Sequence, residues 1–294
     1  MSDPEFGLDR RAVMRSFARA AAHYEDSARL QREVRTDLLE RLQFFTLDPG
    51  VVLDLGAGTC QASLALQRRF PRARVLALDL TEPMLRAAPK ARWSWRSSSV
   101  RLRVCADAGA LPLCSHSVDL IYSNLMLHWC DQPGRVFGEL ARVIKPGGLL
   151  LFSTFGPDTL QELRAAWTAA DDGRHVSVFP DMPQLGESLM RAGFAEPVLD
   201  VEHHRLNYPD VAALMRELTH WGARNAMHSR SRGLTSRSRF TAMIEAYERQ
   251  RTSAGLPATF EVIAGAAFGG NAPAPSPPAG QREVAVPLSA IRRK

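Results

Sequence analysis

Val51-Val52-Leu53-Asp54-Leu55-Gly56-Ala57-Gly58-Thr59 is a short apolar run that ends in an acid and a Gly-x-Gly turn. Short and bounded by glycines, the run reads as a buried parallel strand rather than a helix. Without a Cβ, the two glycines let the backbone turn sharply and approach a ligand closely. Gln61 to Arg69 then has a helical pattern, so strand, turn and helix set a small molecule at the carboxyl end of a sheet. Gln61 stands where a dinucleotide fingerprint has its third glycine, which argues against a dinucleotide. The absence of Gly-Lys-Ser/Thr removes a triphosphate loop. Asp54, just before the first glycine, suits a ligand with a cationic amine, such as the methionine part of S-adenosylmethionine.

The 294-residue chain is 45% hydrophobic, enough for one large domain or two small ones. No apolar stretch approaches the roughly 20 residues of a membrane span, and the polar start from Met1 to Arg11 is no signal peptide. Cys60, Cys105, Cys114 and Cys130 have no C-x-x-C spacing, which indicates reduced thiols in a cytoplasm rather than disulfides or a zinc site. The net charge of +6 favours an acidic partner without choosing one.

Outward from the first strand, residues 12 to 43 read as two leading helices broken near Tyr24-Glu25-Asp26. Such helices either cover a ligand site or pack on the sheet. Ala73 to Asp79 is a second strand ending in an acid. Asp79, with Leu80 after it, lies about 20 residues beyond the glycine turn, where an acid accepts both hydroxyls of a ribose. Thr81 to Ala88 is a helix with Pro83 in its first turn. Val100 to Ala106 is a third strand, and Asp107-Ala108 after it offers an acceptor and a small neighbour for an adenine. Val118 to Asn124 and Leu149 to Thr154 are the fourth and fifth strands, separated by a helix from Pro133 to Ile144 and the stop turn Lys145-Pro146-Gly147-Gly148. Asp158 to Ala169 and Met182 to Ala192 are helical, Pro197 to Asn207 is a sixth strand, and Val211 to Ala223 with Arg239 to Arg251 form a helical insert. Thr259 to Phe268 is the seventh strand.

The expected fold is α/β, a doubly wound, mostly parallel seven-stranded sheet of Rossmann-like type. Residues 1–45 are leading helices and a candidate lid, and 46–207 the cofactor-binding core. Residues 208–258 are an insert placed to form a substrate lid, 259–268 the last core strand and 269–294 a Pro/Ala-rich disordered tail.

These residues resemble class I S-adenosylmethionine-dependent methyltransferases. Asp54-Leu55-Gly56-Ala57-Gly58 resembles the cofactor turn, Asp79 the ribose acid, Asp107-Ala108 the adenine contact and Lys145-Pro146-Gly147-Gly148 the turn before the fifth strand. Cys60 departs from the pattern, which has a third glycine there, and would narrow the helix start. Phe17-x-Arg19-Ala20-Ala21 through Tyr24 and Leu30-Gln31 resembles the leading segment of the malonyl-[acyl-carrier protein] O-methyltransferase family of biotin synthesis. Ser123-Asn124-Leu125 with His128-Trp129-Cys130, Thr154 to Leu163, and Gly222-Ala223 followed by Arg230 match it too, covering Val13 to Gly269.

The resemblance implies a carboxyl O-methyltransferase that uses S-adenosyl-L-methionine on a malonyl thioester of acyl carrier protein or coenzyme A. It implies cofactor contacts from Asp54, Gly56, Ala57, Gly58, Asp79, Leu80, Asp107, Ala108, Ser123 and Asn124. A carboxylate acceptor is already ionised near pH 7, so neither a general base nor a metal is required. An arginine fork suits the malonyl carboxylate, which points to Arg230 with Tyr24, while His128 and Trp129 flank the acceptor. The run Arg224, Arg230, Arg232, Arg237, Arg239 would dock an acidic carrier. Nucleic acid is not an expected partner, because Ser123-Asn124-Leu125-Met126 lacks the Asn/Asp-Pro-Pro-aromatic that holds a flipped base. The alternative is a methyltransferase-like assembly factor that acts on another protein.

Overall fold

The computed structural model of the chain describes residues 7–89, 102–223, 225–230, 233 and 235–270. α1 (Arg10–Ala20), α2 (Tyr24–Ser27) and α3 (Arg29–Arg41) precede the sheet. The alternating section runs β1 (Val51–Leu55), α4 (Gln61–Arg69), β2 (Arg74–Asp79), α5 (Glu82–Arg86), β3 (Leu102–Cys105), β4 (Val118–Ser123), α6 (Pro133–Val143) and β5 (Ile144–Phe155). α7 (Gln161–Thr168), α8 (Met182–Arg191), β6 (Phe194–Tyr208), α9 (Val211–His220), α10 (Arg237–Glu248) and β7 (Leu256–Gly269) complete it.

The strands lie in the order β3-β2-β1-β4-β5-β7-β6. β1 pairs in parallel with β2 and β4, β2 with β3, and β4 with β5, while β7 runs antiparallel to both β5 and β6. This is the expected seven-stranded, mostly parallel sheet. β1 is buried at all five positions, as its unbroken apolar pattern requires of a central strand covered on both faces. Leu53, Leu55, Ile121 and Phe152 pack with α6 on one face, and Val52, Leu120 and Tyr122 with Leu38, Leu42 and Leu66 on the other.

Three boundaries differ from the sequence reading for identifiable reasons. The break between the leading helices falls at Ala21–His23, because Tyr24–Ser27 forms a helical turn of its own, with Glu25 and Asp26 at its N-terminal end. Lys145-Pro146-Gly147-Gly148 lies within β5: Ile144 pairs with Val118, and the register shifts before Leu120. The glycines therefore make a bulge at the strand entrance, with Gly147 at φ +72°. β6 and β7 are both longer than expected and pair as far as Tyr208↔Leu256, whereas β5 follows β7 only to Val262. That overhang carries Phe260 into a second core with Leu30, Val34, Trp221 and Tyr247. The Trp221 indole N–H donates to the Ser27 carbonyl at 2.6 Å, tying the late helices to the leading ones. Of residues 269–294, read from sequence as a tail, Gly269 ends β7 paired with Phe194, while 271–294, like Arg224 and Arg232 of the cationic run, lie outside the described residues.

Candidate active site

At the carboxyl end of β1, Gly56 and Gly58 have φ of +71° and +51°. The Gly56 and Ala57 N–H groups donate to the Leu78 carbonyl at 2.8 and 3.0 Å, which folds the turn onto the end of β2. One Asp79 oxygen accepts from the Gly58 N–H at 2.9 Å, and the other from the Thr81 N–H at 2.7 Å. Burial raises the Asp79 carboxyl, so its ionised form needs further donors. Met126 presses on the turn: a Cβ at Gly56 would lie 2.2 Å from its Cγ. Cys60 takes the left-handed conformation at φ +61°, where glycine is unstrained. Its side chain packs beside Leu64, Ala77 and Leu85, and burial pushes the thiol up to about 12.

These elements enclose a cavity of about 220 Å³ lined by Gly56, Gly58, Asp79, Leu80, Asp107, Ala108 and Asn124. Tyr24 and Trp129 also face it, under a roof of Arg10, Val13 and Phe17 from α1. Asp107 accepts from the Gly109 N–H at 2.9 Å, and its other oxygen pairs with Arg10 at 2.9 Å. Glu25 accepts from the Thr59 hydroxyl, bringing the leading helices onto the glycine turn. Ala57, Asp54 and Ser123 do not line the cavity. The Ser123 hydroxyl donates to the Leu55 carbonyl at 3.0 Å, while Asn124 donates to the Gln31 carbonyl at 3.1 Å and accepts from Ser153 at 2.9 Å. Both residues thus fix the end of β4.

Asp54 lies beneath the turn, buried, and accepts from the Ser63 hydroxyl at the start of α4. Burial pushes its carboxyl up to about 7. The unfolded chain ionises an aspartate near about 3.9. Between those values the unfolded state holds fewer protons, so Asp54 lowers stability as pH rises, and the penalty is complete above the folded value. Asp54→Asn is expected to raise the melting temperature relative to the parent increasingly from pH 4 to 7, then level off. A difference independent of pH would exclude this ionisation.

A second cavity of about 540 Å³ lies beyond Trp129, which lines both. Its walls carry Phe155, Trp167, His175, Phe179, Trp221, Phe240 and Phe260, and Arg230 reaches it too. Tyr24 and Arg230 therefore face different cavities. Arg230 pairs with Asp9 at 2.9 Å and donates to the Met227 carbonyl at 2.8 Å. The pair holds the Asp9 carboxyl down to about 2. His128 lines neither main cavity: it sits in a small pocket with Leu8, Thr154 and Met227. Its ring lies 4.5 Å from Phe155 and 5.6 Å from Phe179, and burial pushes it down to about 3, so it is neutral at pH 7. Apart from Trp129, the aromatic wall is not legible in the sequence because its residues are scattered from Phe155 to Phe260 with no local spacing. Arg10 and Phe17 were missed because a helix pattern does not say which face meets a ligand.

Residues 53–152, from β1 into β5, match the methyltransferase domain family. A malonyl-[acyl-carrier protein] O-methyltransferase of Gallionella capsiferriformans is 43% identical over 268 residues, 90% of this chain and 92% of that one. The chain belongs to the malonyl-[acyl-carrier protein] O-methyltransferase family. A second member, from Methylovorus sp. strain MP688, is 46% identical over 91% of this chain and 92% of its own. Among solved structures, the YcgJ protein of Bacillus subtilis superposes with a TM-score of 0.56 at 16% identity, covering 82% of this chain and all of that one, which shows the shared fold. The chain is an S-adenosyl-L-methionine-dependent methyltransferase. The first cavity fits that cofactor: a half-buried acid with acceptor capacity, a tight glycine turn and a second acid beside small Ala108 converge on it.

Proposed function

We propose that the protein methylates the free carboxylate of a malonyl thioester carried by acyl carrier protein, giving the methyl ester from which pimeloyl and biotin synthesis starts. The observation that supports this most is Trp129 standing in the wall shared by the two cavities. It gives the acyl group a room of its own adjoining the methyl donor. S-adenosyl-L-methionine, when bound, supplies an electrophilic methyl on a sulfonium that departs as a neutral thioether. Asp79 would hold the ribose and Asp107 the adenine, the latter after exchanging Arg10. Gly56, Ala57 and Gly58 would cradle the methionine part, with Asp54 and Ser123 supporting them from beneath. The leading helices would cover the cofactor and the insert of residues 208–258 the acyl group.

The acceptor carboxylate is an anion at neutral pH, so the protein's work is alignment and exclusion of water. Arg230 would meet the carboxylate with the N–H groups that Asp9 and the backbone carbonyls leave over. The partner is an acidic carrier, met by the exposed Arg237 and Arg239 at the start of α10. Among the described residues no helix is long and apolar enough to cross a membrane.

Incubation with methyl-labelled cofactor and malonyl-acyl carrier protein tests the reading. Label is expected in a base-labile ester on the carrier. Cofactor binding without that label overturns it.

A neutral, half-buried His128 makes a poor base, and this chemistry needs none. His128→Gln is accordingly expected to keep kcat within about threefold, with a pH–rate profile unchanged between pH 6 and 8. A loss of a hundredfold, or a new limb in the profile, would assign the imidazole a proton.

A further inference from the structure

One side chain lining the second cavity, His175, has with its partner Asp171 no part in the chemistry above. The His175 Nε2–H donates to Asp171 at 2.8 Å, and the Gly173 N–H donates to the same oxygen at 2.8 Å. The ring stacks on Trp167 with centroids 3.7 Å apart and planes inclined by 11°. Arg239 stands 3.9 Å from the other Asp171 oxygen. An imidazole held by a carboxylate on one nitrogen and an indole on its face has one orientation and one tautomer when neutral. Its Nδ1 is then an acceptor, and it has no hydrogen-bond partner among the described residues.

The cavity has two distinct ends. Trp129 marks the inner one: it faces the cofactor cavity, and Phe17 meets it edge-on at 5.2 Å. Arg230 belongs to this end through Asp9, the N-cap of α1, whose neighbour Leu8 packs with Met227 close to Trp129. Trp167 and His175 mark the outer end. Phe240 lies 6.4 Å from Trp167 and is 39% exposed, and the Arg239 side chain is 61% exposed. A carboxylate suits the inner end, while the outer end opens beside cations. Between them, aromatic walls suit a ligand that is mostly methylene and amide.

We propose that this cavity receives the pantetheine arm of the thioester substrate, and that His175 Nδ1 accepts the hydrogen bond of the amide farther from sulfur. The inference rests on the malonyl-thioester reading and adds to it a direction and a contact. The malonyl group lies inward at Trp129 and Arg230, the arm runs past Phe155 and Phe179, and its outer amide meets His175 before the arm leaves beside Phe240 and Arg239. Asp171 is the positioning residue, because it sets the tautomer that leaves Nδ1 as an acceptor.

The test compares two truncated substrates, malonyl-pantetheine and malonyl-N-acetylcysteamine; the second ends before the outer amide. The measured quantity is the ratio of their KM values in the parent, His175→Phe and His175→Gln. Phenylalanine keeps a ring against Trp167 without an acceptor, and glutamine returns one. One neutral hydrogen bond contributes about 0.5–1.5 kcal/mol, so His175→Phe is expected to shrink the preference for malonyl-pantetheine by roughly 2–12-fold, and His175→Gln to restore part of it. Cofactor affinity, measured by calorimetry, is expected to stay at the parent value in both variants and certifies the fold. An unchanged ratio, or equal losses on both substrates, overturns the inference alone. No methyl transfer to malonyl-acyl carrier protein by the parent protein overturns the malonyl-thioester reading and this inference with it.

Discussion

Asp79→Asn is expected to weaken cofactor binding by at least 100-fold, measured by calorimetry with S-adenosylhomocysteine. Each Asp79 oxygen already accepts one backbone N–H, from Gly58 or from Thr81, and the carboxylate faces the first cavity with its remaining capacity. A carboxylate has about four acceptor sites, so two stay available for a pair of ribose hydroxyls. Asparagine has one acceptor oxygen and presents an NH₂ where the other stood. It must orphan one turn N–H and oppose one hydroxyl with a donor. Hydrogen bonds to charged groups contribute about 1.5–3 kcal/mol each, so losing two amounts to roughly 10²–10⁴ in affinity. Burial makes the position less forgiving, because water does not replace the lost partner cheaply. A dissociation constant within threefold of the parent would move the ribose elsewhere.

The sheet was legible because its evidence is local. Val51–Leu55 is apolar throughout and glycine-bounded, and each following strand ends in a residue that chemistry marks: Asp79, Asp107 and Asn124 all line the first cavity. An acid at a strand end needs no knowledge of distant packing to be noticed. What failed to be legible was the convergence of separate segments. Tyr24 lies in α2 and Arg230 in the connection between α9 and α10, and nothing in their spacing tells that one faces the cofactor cavity and the other the aromatic one. Arg230 reads as one of a cationic run, yet its guanidinium is held by Asp9, 221 residues away in the chain. Asp54 reads as a ligand contact because it precedes the glycines, but the pleat turns its side chain down onto Ser63. The overhang of β6 and β7 beyond β5, which carries Phe260 into the second cavity, depends on how far three strands pair. The sequence has no term for that length.

Trp129→Ala is expected to lower kcat about 100-fold while changing cofactor affinity by less than about fivefold. The indole is fixed edge-on against Phe17 at 5.2 Å and tilted against His128 at 5.2 Å, so α1 and the aromatic cluster hold it from two sides. It borders both cavities and so would define the distance between acceptor and methyl. An anionic acceptor needs no proton removed, which leaves orientation and dryness as the terms a mutation can damage. Well-aligned reactants gain up to about 7–11 kcal/mol of barrier lowering from positioning, and losing a quarter to a third of that gives the stated factor. Alanine would merge the two cavities, admit water to the carboxylate and let the acyl group drift from line. The cofactor contacts proposed for Asp79 and Asp107 lie at the ends of β2 and β3, away from Trp129, and would persist, so binding and turnover separate. Trp129→Phe, which keeps a ring in the wall, is expected to fall between the parent and alanine in kcat. Single-turnover methylation at saturating cofactor reads the chemical step directly. A loss confined to KM would show that Trp129 binds the acyl group without setting its line of approach.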